Sequence, residues 1–299
     1  MTRRAALALA LVLPAAAQVE DPGFVFRSEA RLVVLHATVV DAAGQLVIDL
    51  PQSAFRVYED GVEQTIKVFR REDAPVSLGL VIDASGSMLG KRERVKSAAL
   101  ALVRASHPQD EVFILNFNER AYLDAGFTND IARLEEGLAR AEPQGLTALR
   151  DAIRLALEHL WRQGERDKKV LLVVTDGEDN SSSIDLPYLV RAAQQTGILI
   201  YSLGLLGEAG RDQTLRAKKE LDALTHATGG QAWYLDDVAH SERVALEVAR
   251  DIRNQYTLAY TPLNQALDGR YRRITVIAGA PAALTVRTRT GYYAGPAPH

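Results

Sequence analysis

Two apolar runs in this chain end abruptly in aspartate, and hydroxyl groups stand close by. The first is Leu78–Ile82 (LGLVI), which meets Asp83 and then Ala84-Ser85-Gly86-Ser87. Asp83, Ser85 and Ser87 fall at i, i+2 and i+4. In an extended or turning segment that spacing aims three oxygens at one point. One carboxylate and two neutral hydroxyls suit a hard cation such as Mg²⁺, which takes oxygen ligands in near-octahedral geometry. A Ser/Gly turn capped by an aspartate has the same D-x-S-x-S pattern, so these five residues alone decide little. Two distant pieces add to them. Gly145-Leu146-Thr147-Ala148-Leu149 opens a helical stretch and offers Thr147, and Lys169–Gly177 (KVLLVVTDG) is a second apolar run that ends in an acid, Asp176.

Together Asp83, Ser85, Ser87, Thr147 and Asp176 resemble the metal-ion-dependent adhesion site of von Willebrand factor A (VWA) domains. Every position of that motif is filled, in order and on elements of the right type. The resemblance runs from Pro75 to Arg253. It implies a Mg²⁺ site made by these five residues, with Mn²⁺ able to substitute because it accepts the same oxygens. Hydroxyls bind the ion without neutralising it, the two aspartates act partly through water, and one coordination position stays exchangeable. An Asp or Glu of a protein partner fills that position in adhesion-type relatives. Thr147 lies on a separate loop, so its engagement can depend on neighbouring elements. The flanks resemble a bacterial subfamily of secreted proteins with this domain, through FRVYEDG (Phe55–Gly61) and RTGYYA (Arg289–Ala294). The function implied is an exported, metal-dependent protein-binding module for adhesion or scaffolding, and not an enzyme. A metal-assisted hydrolase is one alternative. A structural envelope domain whose metal only stabilises the fold is another.

Competing chemistry is poorly served. Gly86–Arg92 resembles a phosphate loop, but it has one residue too few between its glycines, and Arg92 stands where Ser or Thr is required. No nucleophile elbow G-x-S-x-G surrounds Ser85 or Ser87. A haloacid-type phosphatase would need an acid at position 85. None of the six histidines sits in a loop that the pattern ties to the carboxyl edge of a sheet. For Asp83 and Asp176 the plain alternative is a pair of strand-end caps holding loop amides. Asp179 and Asn180 read as a loop cap or as support for the site, with the loop cap favoured.

With 35 basic and 38 acidic residues the net charge is −3, which argues against a nucleic-acid partner. The absence of cysteine excludes disulfides, thiolate metal sites and a cysteine nucleophile. Met1–Gln18 combines Arg3 and Arg4, a short apolar stretch and Ala15-Ala16-Ala17. This reads as a signal peptide cleaved after Ala17 and implies a secreted or periplasmic protein. No other stretch approaches 18 uninterrupted apolar residues, so no transmembrane segment is expected in the mature chain.

The elements that must position these residues follow from periodicity. From Val76 onward, apolar strands alternate with amphipathic helices. Strand patterns cover 76–82, 111–117, 169–175, 198–205 and 231–235, with an edge strand over 121–127. Helical patterns cover 92–106, 129–141, 147–161, 186–195, 214–227 and 240–254. This alternation predicts an α/β fold: a Rossmann-like, doubly wound, mostly parallel sheet with helices on both faces. The flanks read as strands: 31–39, 46–50, 55–58 and 64–70 before the α/β region, then 256–261, 271–277 and 284–290 after it. Isolated hairpins are marginal in water, so both flanks are expected to join in one small all-β unit. The organisation expected is a leader over 1–17, an N-terminal β-rich segment over 18–74, the α/β domain that the resemblance identifies as VWA-like over 75–254, C-terminal strands over 255–294 and a tail over 295–299.

Overall fold

The computed structural model describes residues 32–295, apart from 72, 141, 178, 208–209 and 280–283. The expected leader with its cleavage point after Ala17, the stretch 18–31 and the tail beyond 295 lie outside the described residues. Four strands come first: β1 (Val33–Val40), β2 (Phe55–Glu59), β3 (Val62–Gln64) and β4 (Ile66–Arg70). The α/β region follows: β5 (Val76–Asp83), α1 (Arg92–Arg104), β6 (Glu111–Phe117), β7 (Ala121–Thr128), α2 (Ile131–Arg140), α3 (Leu149–Gln163), β8 (Lys168–Thr175), α4 (Leu186–Thr196), β9 (Leu199–Gly204), α5 (Arg211–Thr228), β10 (Ala232–Tyr234) and α6 (Ser241–Arg253). Four strands close the chain: β11 (Tyr256–Tyr260), β12 (Tyr271–Ala278), β13 (Thr285–Arg287) and β14 (Gly291–Tyr293).

The central sheet has the order β10-β9-β8-β5-β6-β7, parallel except for the edge strand β7. All eight residues of β5 are buried, as a strand covered on both faces requires. Its alternate residues serve opposite faces. Leu78, Leu80 and Ile82 pack with Val95 and Leu102 of α1, Leu134 of α2 and Val248 of α6. Val81 packs on the other face with Ile153 of α3, Leu189 of α4 and Leu224 of α5. Gly79 makes room for this layer: a Cβ there would lie 2.5 Å from Phe113 ring carbons and 2.6 Å from Leu171 Cδ1. After β5 the chain winds outward through β6 to β7, then returns to the other side of β5 as β8. The crevice at the carboxyl ends of β5 and β8 is therefore the topological switch point, where open α/β sheets bind ligands.

The flanks pair with each other as expected. They form two antiparallel sheets, β13-β1-β11-β4 and β14-β12-β2-β3. N-terminal β1 pairs with C-terminal β11, and β2 with β12. The sheets share one core that includes Leu35, Val57, Tyr256, Leu258 and Ile274. Within it the buried Glu59 carboxylate accepts from Tyr260 OH at 2.7 Å and Tyr292 OH at 3.0 Å, which ties the two sheets together. Asp60 and Gly61, at φ 50° and 83°, make the two-residue turn between β2 and β3.

Three expectations for the flanks need correction. The strand over 46–50 reduces to one bridge at Leu46, opposite Val40. Beyond it Tyr256 OH accepts from Leu50 N and donates to Val47 O, so a side chain satisfies the backbone that a partner strand would otherwise serve. The strand over 64–70 divides, because β3 pairs within one sheet and β4 within the other. Residues 291–293 add the strand β14, paired with β12. Among the described residues no helix is long and apolar enough to cross a membrane.

Candidate metal centre

Asp83 is the last residue of β5, and Asp176 directly follows β8. The strands are neighbours in parallel register, with Ile82 opposite Val174, so both acids emerge at the same edge. Asp83 is almost fully buried. Its Oδ1 accepts from Ser85 N at 2.8 Å and its Oδ2 from Thr175 Oγ1 at 2.6 Å. Ser85 Oγ lies 3.2 Å from Ser87 Oγ, and Ser87 Oγ donates to Asp176 Oδ1 at 2.7 Å. An unbroken series of polar contacts thus joins Asp83 to Asp176 through both serines. The loop turns this way because Ser85 is extended and Gly86–Met88 form a 3-10 turn, anchored by the buried Met88 side chain. Ala84 N donates to Phe117 O and Ala84 O accepts from Gln144 N, which holds the loop against two neighbouring segments.

Burial raises the Asp83 carboxyl to about 6. Its hydrogen bonds from Thr175 and Ser85 act the other way, and the nearby Asp176 adds to the upward push. A carboxylate kept out of water in this way gains most from a cation beside it.

Thr147 arrives on a third loop. Gly145 adopts φ 73°, and its carbonyl accepts from Gly86 N at 3.2 Å. Glu119 Oε1 accepts from Leu146 N at 3.2 Å. Thr147 N donates to Asn180 Oδ1 at 2.9 Å, while Thr147 O accepts from Asn180 N at 3.0 Å and Ser181 N at 3.2 Å. The backbone of Thr147 is thereby pinned to the segment after Asp176, and its own loop to the segment after Asp83. Its hydroxyl makes no hydrogen bond to Asp83, Ser85, Ser87 or Asp176, so four of the five expected residues are linked by polar contacts and the fifth is held nearby through its backbone.

Asp179 is a loop cap. Its oxygens accept from Arg150 N at 2.7 Å, Arg150 Nη2 at 2.9 Å, Ser182 N at 3.0 Å and Ser182 Oγ. Burial works to raise its carboxyl, but those hydrogen bonds outweigh it and hold the group below the usual range. Asn180 has the closer connection to the site, since it fixes Thr147.

Two contributors escaped sequence reasoning. Thr175 is the penultimate residue of an apolar run, where nothing marks its hydroxyl as a donor to Asp83. Lys91 Nζ donates to Asp176 Oδ2 at 2.6 Å. The available signal for Lys91 was its place immediately before a helical pattern, where a cation opposes the helix dipole.

Among the described residues no group of three or more His, Asp or Glu is arranged to hold a metal. The cluster at the switch point, with two carboxylates and two serine hydroxyls, has the donor chemistry of a hard divalent cation and fits Mg²⁺.

Residues 78–178 match the family model of the von Willebrand factor type A domain. Over those residues the chain is similar to a VWA domain. Among solved structures, a von Willebrand factor type A protein from Catenulispora acidiphila has a TM-score of 0.52 at 14% identity, over 89% of this chain and 75% of its own. The vWF domain of the type V pili tip protein Mfa5 from Porphyromonas gingivalis has a TM-score of 0.50 at 12% identity, over 60% of this chain and 95% of its own. At these identities the likeness is one of fold. In sequence, the porcine (Sus scrofa) calcium-activated chloride channel regulator 1 is 29% identical over 169 residues, 54% of this chain and 17% of that protein. A Synechocystis protein is 26% identical over 167 residues, 54% of this chain and 38% of its own length. This chain therefore matches well under half the length of these relatives.

Proposed function

We propose that this protein is an exported adhesion or scaffolding module that grips an acidic side chain of a protein partner through Mg²⁺ at the switch-point site, and that it is not an enzyme. The observation that carries the reading is the hydrogen-bonded series Asp83–Ser85–Ser87–Asp176 at the carboxyl edge of adjacent parallel strands. Asp83, Ser85, Ser87, Thr147 and Asp176 are the residues that would hold the ion, with Mn²⁺ able to replace it. When bound, Mg²⁺ would supply a positive centre whose hydroxyl ligands leave its charge largely uncompensated, which favours a carboxylate ligand from outside. The chain's own part is to keep Asp83 desolvated, to orient Ser87 on Asp176 and to hold Thr147 beside both.

The rim supports a protein partner over a small molecule. Leu89, in the loop after Ser87, is 72% exposed, and Leu146, next to Thr147, is 51% exposed. Large apolar side chains exposed on both sides of a polar site suit a partner that covers them while presenting its acid. One carboxylate contact is too small for a stable complex, so the partner must also bury these loops, on the order of 1,200 Å² or more in total. Pilus proteins among the structural neighbours are consistent with such a role. Export rests on the leader expected over residues 1–17.

Surface plasmon resonance on immobilised Asp-containing peptides, with their Asp→Asn counterparts as controls, tests the reading. Binding should require Mg²⁺, vanish in EDTA, return on re-addition, and fail with the amide. Leu89→Ser should weaken it without unfolding the protein. Binding that survives EDTA and Asp→Asn would contradict the proposal, as would release of a cleaved peptide.

A further inference from the structure

Lys91 stands in an unusual place. It occupies the N-cap of α1, with no side-chain capping hydrogen bond. An ammonium there faces the positive end of the helix dipole, which disfavours it. Yet the Lys91 side chain is only 12% exposed, and its Nζ lies 2.6 Å from Oδ2 of Asp176, whose side chain is fully buried. The other oxygen of that carboxylate accepts from Ser87 Oγ. One carboxylate is thus shared between a serine of the metal loop and a cation carried by the same loop–helix segment.

We propose that Lys91 is a tethered counter-cation that competes with the divalent metal for Asp176 and thereby sets the metal affinity of the site. The proposal rests on the metal-site reading above. With Lys91 on Asp176, the cluster Asp83–Asp176–Lys91 carries at most one net negative charge, and the buried carboxylate already has a charge-assisted partner. A divalent ion entering among Asp83, Ser85, Ser87 and Asp176 would meet a positive charge one carboxylate away. Two cations this close, away from bulk water, repel strongly. Loading the site therefore drives the ammonium off Asp176, and removing the metal lets it return. The tether makes the return local: Lys91 lies four residues beyond Ser87, and its backbone N donates to Met88 O within the same turn. A site built in this way stays partly charge-balanced and folded at low Mg²⁺, and becomes adhesive only when the divalent ion outcompetes an internal rival.

The competition predicts an inverse effect of charge removal. Lys91→Met keeps the length of the side chain and deletes the charge, so Mn²⁺ affinity, read by electron paramagnetic resonance of the free ion, should tighten roughly ten- to a hundred-fold. Lys91→Arg should stay near wild type. In the wild-type protein, acetylation of Lys91 by an amine-reactive ester, quantified by mass spectrometry, should rise when Mg²⁺ is added and fall back with EDTA. In Asp83→Ala it should not respond to Mg²⁺. Weaker Mn²⁺ binding in Lys91→Met, or unchanged Lys91 acetylation at saturating Mg²⁺, would overturn the proposal and make Lys91 a partner that orients Asp176. Failure of the metal-site reading has a separate signature, in which wild type and Asp83→Ala bind Mn²⁺ alike.

Discussion

Thr175→Val isolates the hydrogen bond that supports the buried end of the site. Thr175 is fully buried and its Oγ1 donates to Asp83 Oδ2 at 2.6 Å, while the other Asp83 oxygen is engaged by Ser85 N. Valine has the same shape and lacks the donor, so packing in β8 should survive. A hydrogen bond to a charged group contributes about 1.5–3 kcal/mol, and here the deprived oxygen cannot turn to water. In EDTA, Thr175→Val should therefore lose about 1.5–3 kcal/mol in urea denaturation, which for a chain of this size is roughly 3–10 °C in Tm. In an Asp83→Asn background the acceptor is neutral, and the cost should fall to about 1 kcal/mol. The resulting coupling between the two positions, at least about 0.5 kcal/mol, is large enough for a double-mutant cycle to resolve. A loss below about 0.3 kcal/mol, or strictly additive effects, would refute the view that Thr175 holds a charged Asp83 in the metal-free protein.

Gly79→Ala should destabilise by about 1–3 kcal/mol, because its Cβ would sit 2.5 Å from the Phe113 ring; thermal melts should show partial recovery with Phe113→Leu in the same chain. Lys168 is buried and donates to Ile252 O, and burial, reinforced by Arg253, pulls its ammonium down to about 7. A cation depressed in the folded state contributes stability above its unfolded pKa that is lost as pH falls through the folded value. Between pH 10 and 7 wild type should thus lose a few kcal/mol relative to Lys168→Met, with little further change below 7, and parallel pH profiles for the two proteins would contradict this.

Much of the candidate site was legible because its parts interrupt strong patterns. Asp83 and Asp176 each break an apolar run, and a doubly wound sheet brings such breaks together where the strand order reverses. The hydroxyls at 85 and 87 were legible from spacing alone. Thr175 was hidden for the opposite reason: a β-branched residue inside a strand fits its propensity and attracts no notice. Lys91 was hidden because its partner is 85 residues away, and only the folded sheet makes them neighbours. In the flanks, Leu46–Leu50 (LVIDL) has the apolar composition of a short strand, but Tyr256 takes over its backbone groups from across the core. The division of 64–70 between two sheets depends on which strands arrive from the C-terminal flank, and local sequence does not carry that information. Asp60-Gly61, by contrast, specifies its turn locally and was readable at once.

The central claim is that Asp83, Ser85, Ser87, Thr147 and Asp176 hold a divalent cation. Calorimetric titration of MgCl₂ into wild type and Asp83→Ala tests it most directly, with circular dichroism to show that both are folded. The account predicts one Mg²⁺ per wild-type chain, a thermal stabilisation of about 2.7 kcal/mol at a hundred-fold excess over Kd, and neither effect in the variant. Equal Mg²⁺ affinity in the two proteins would contradict it.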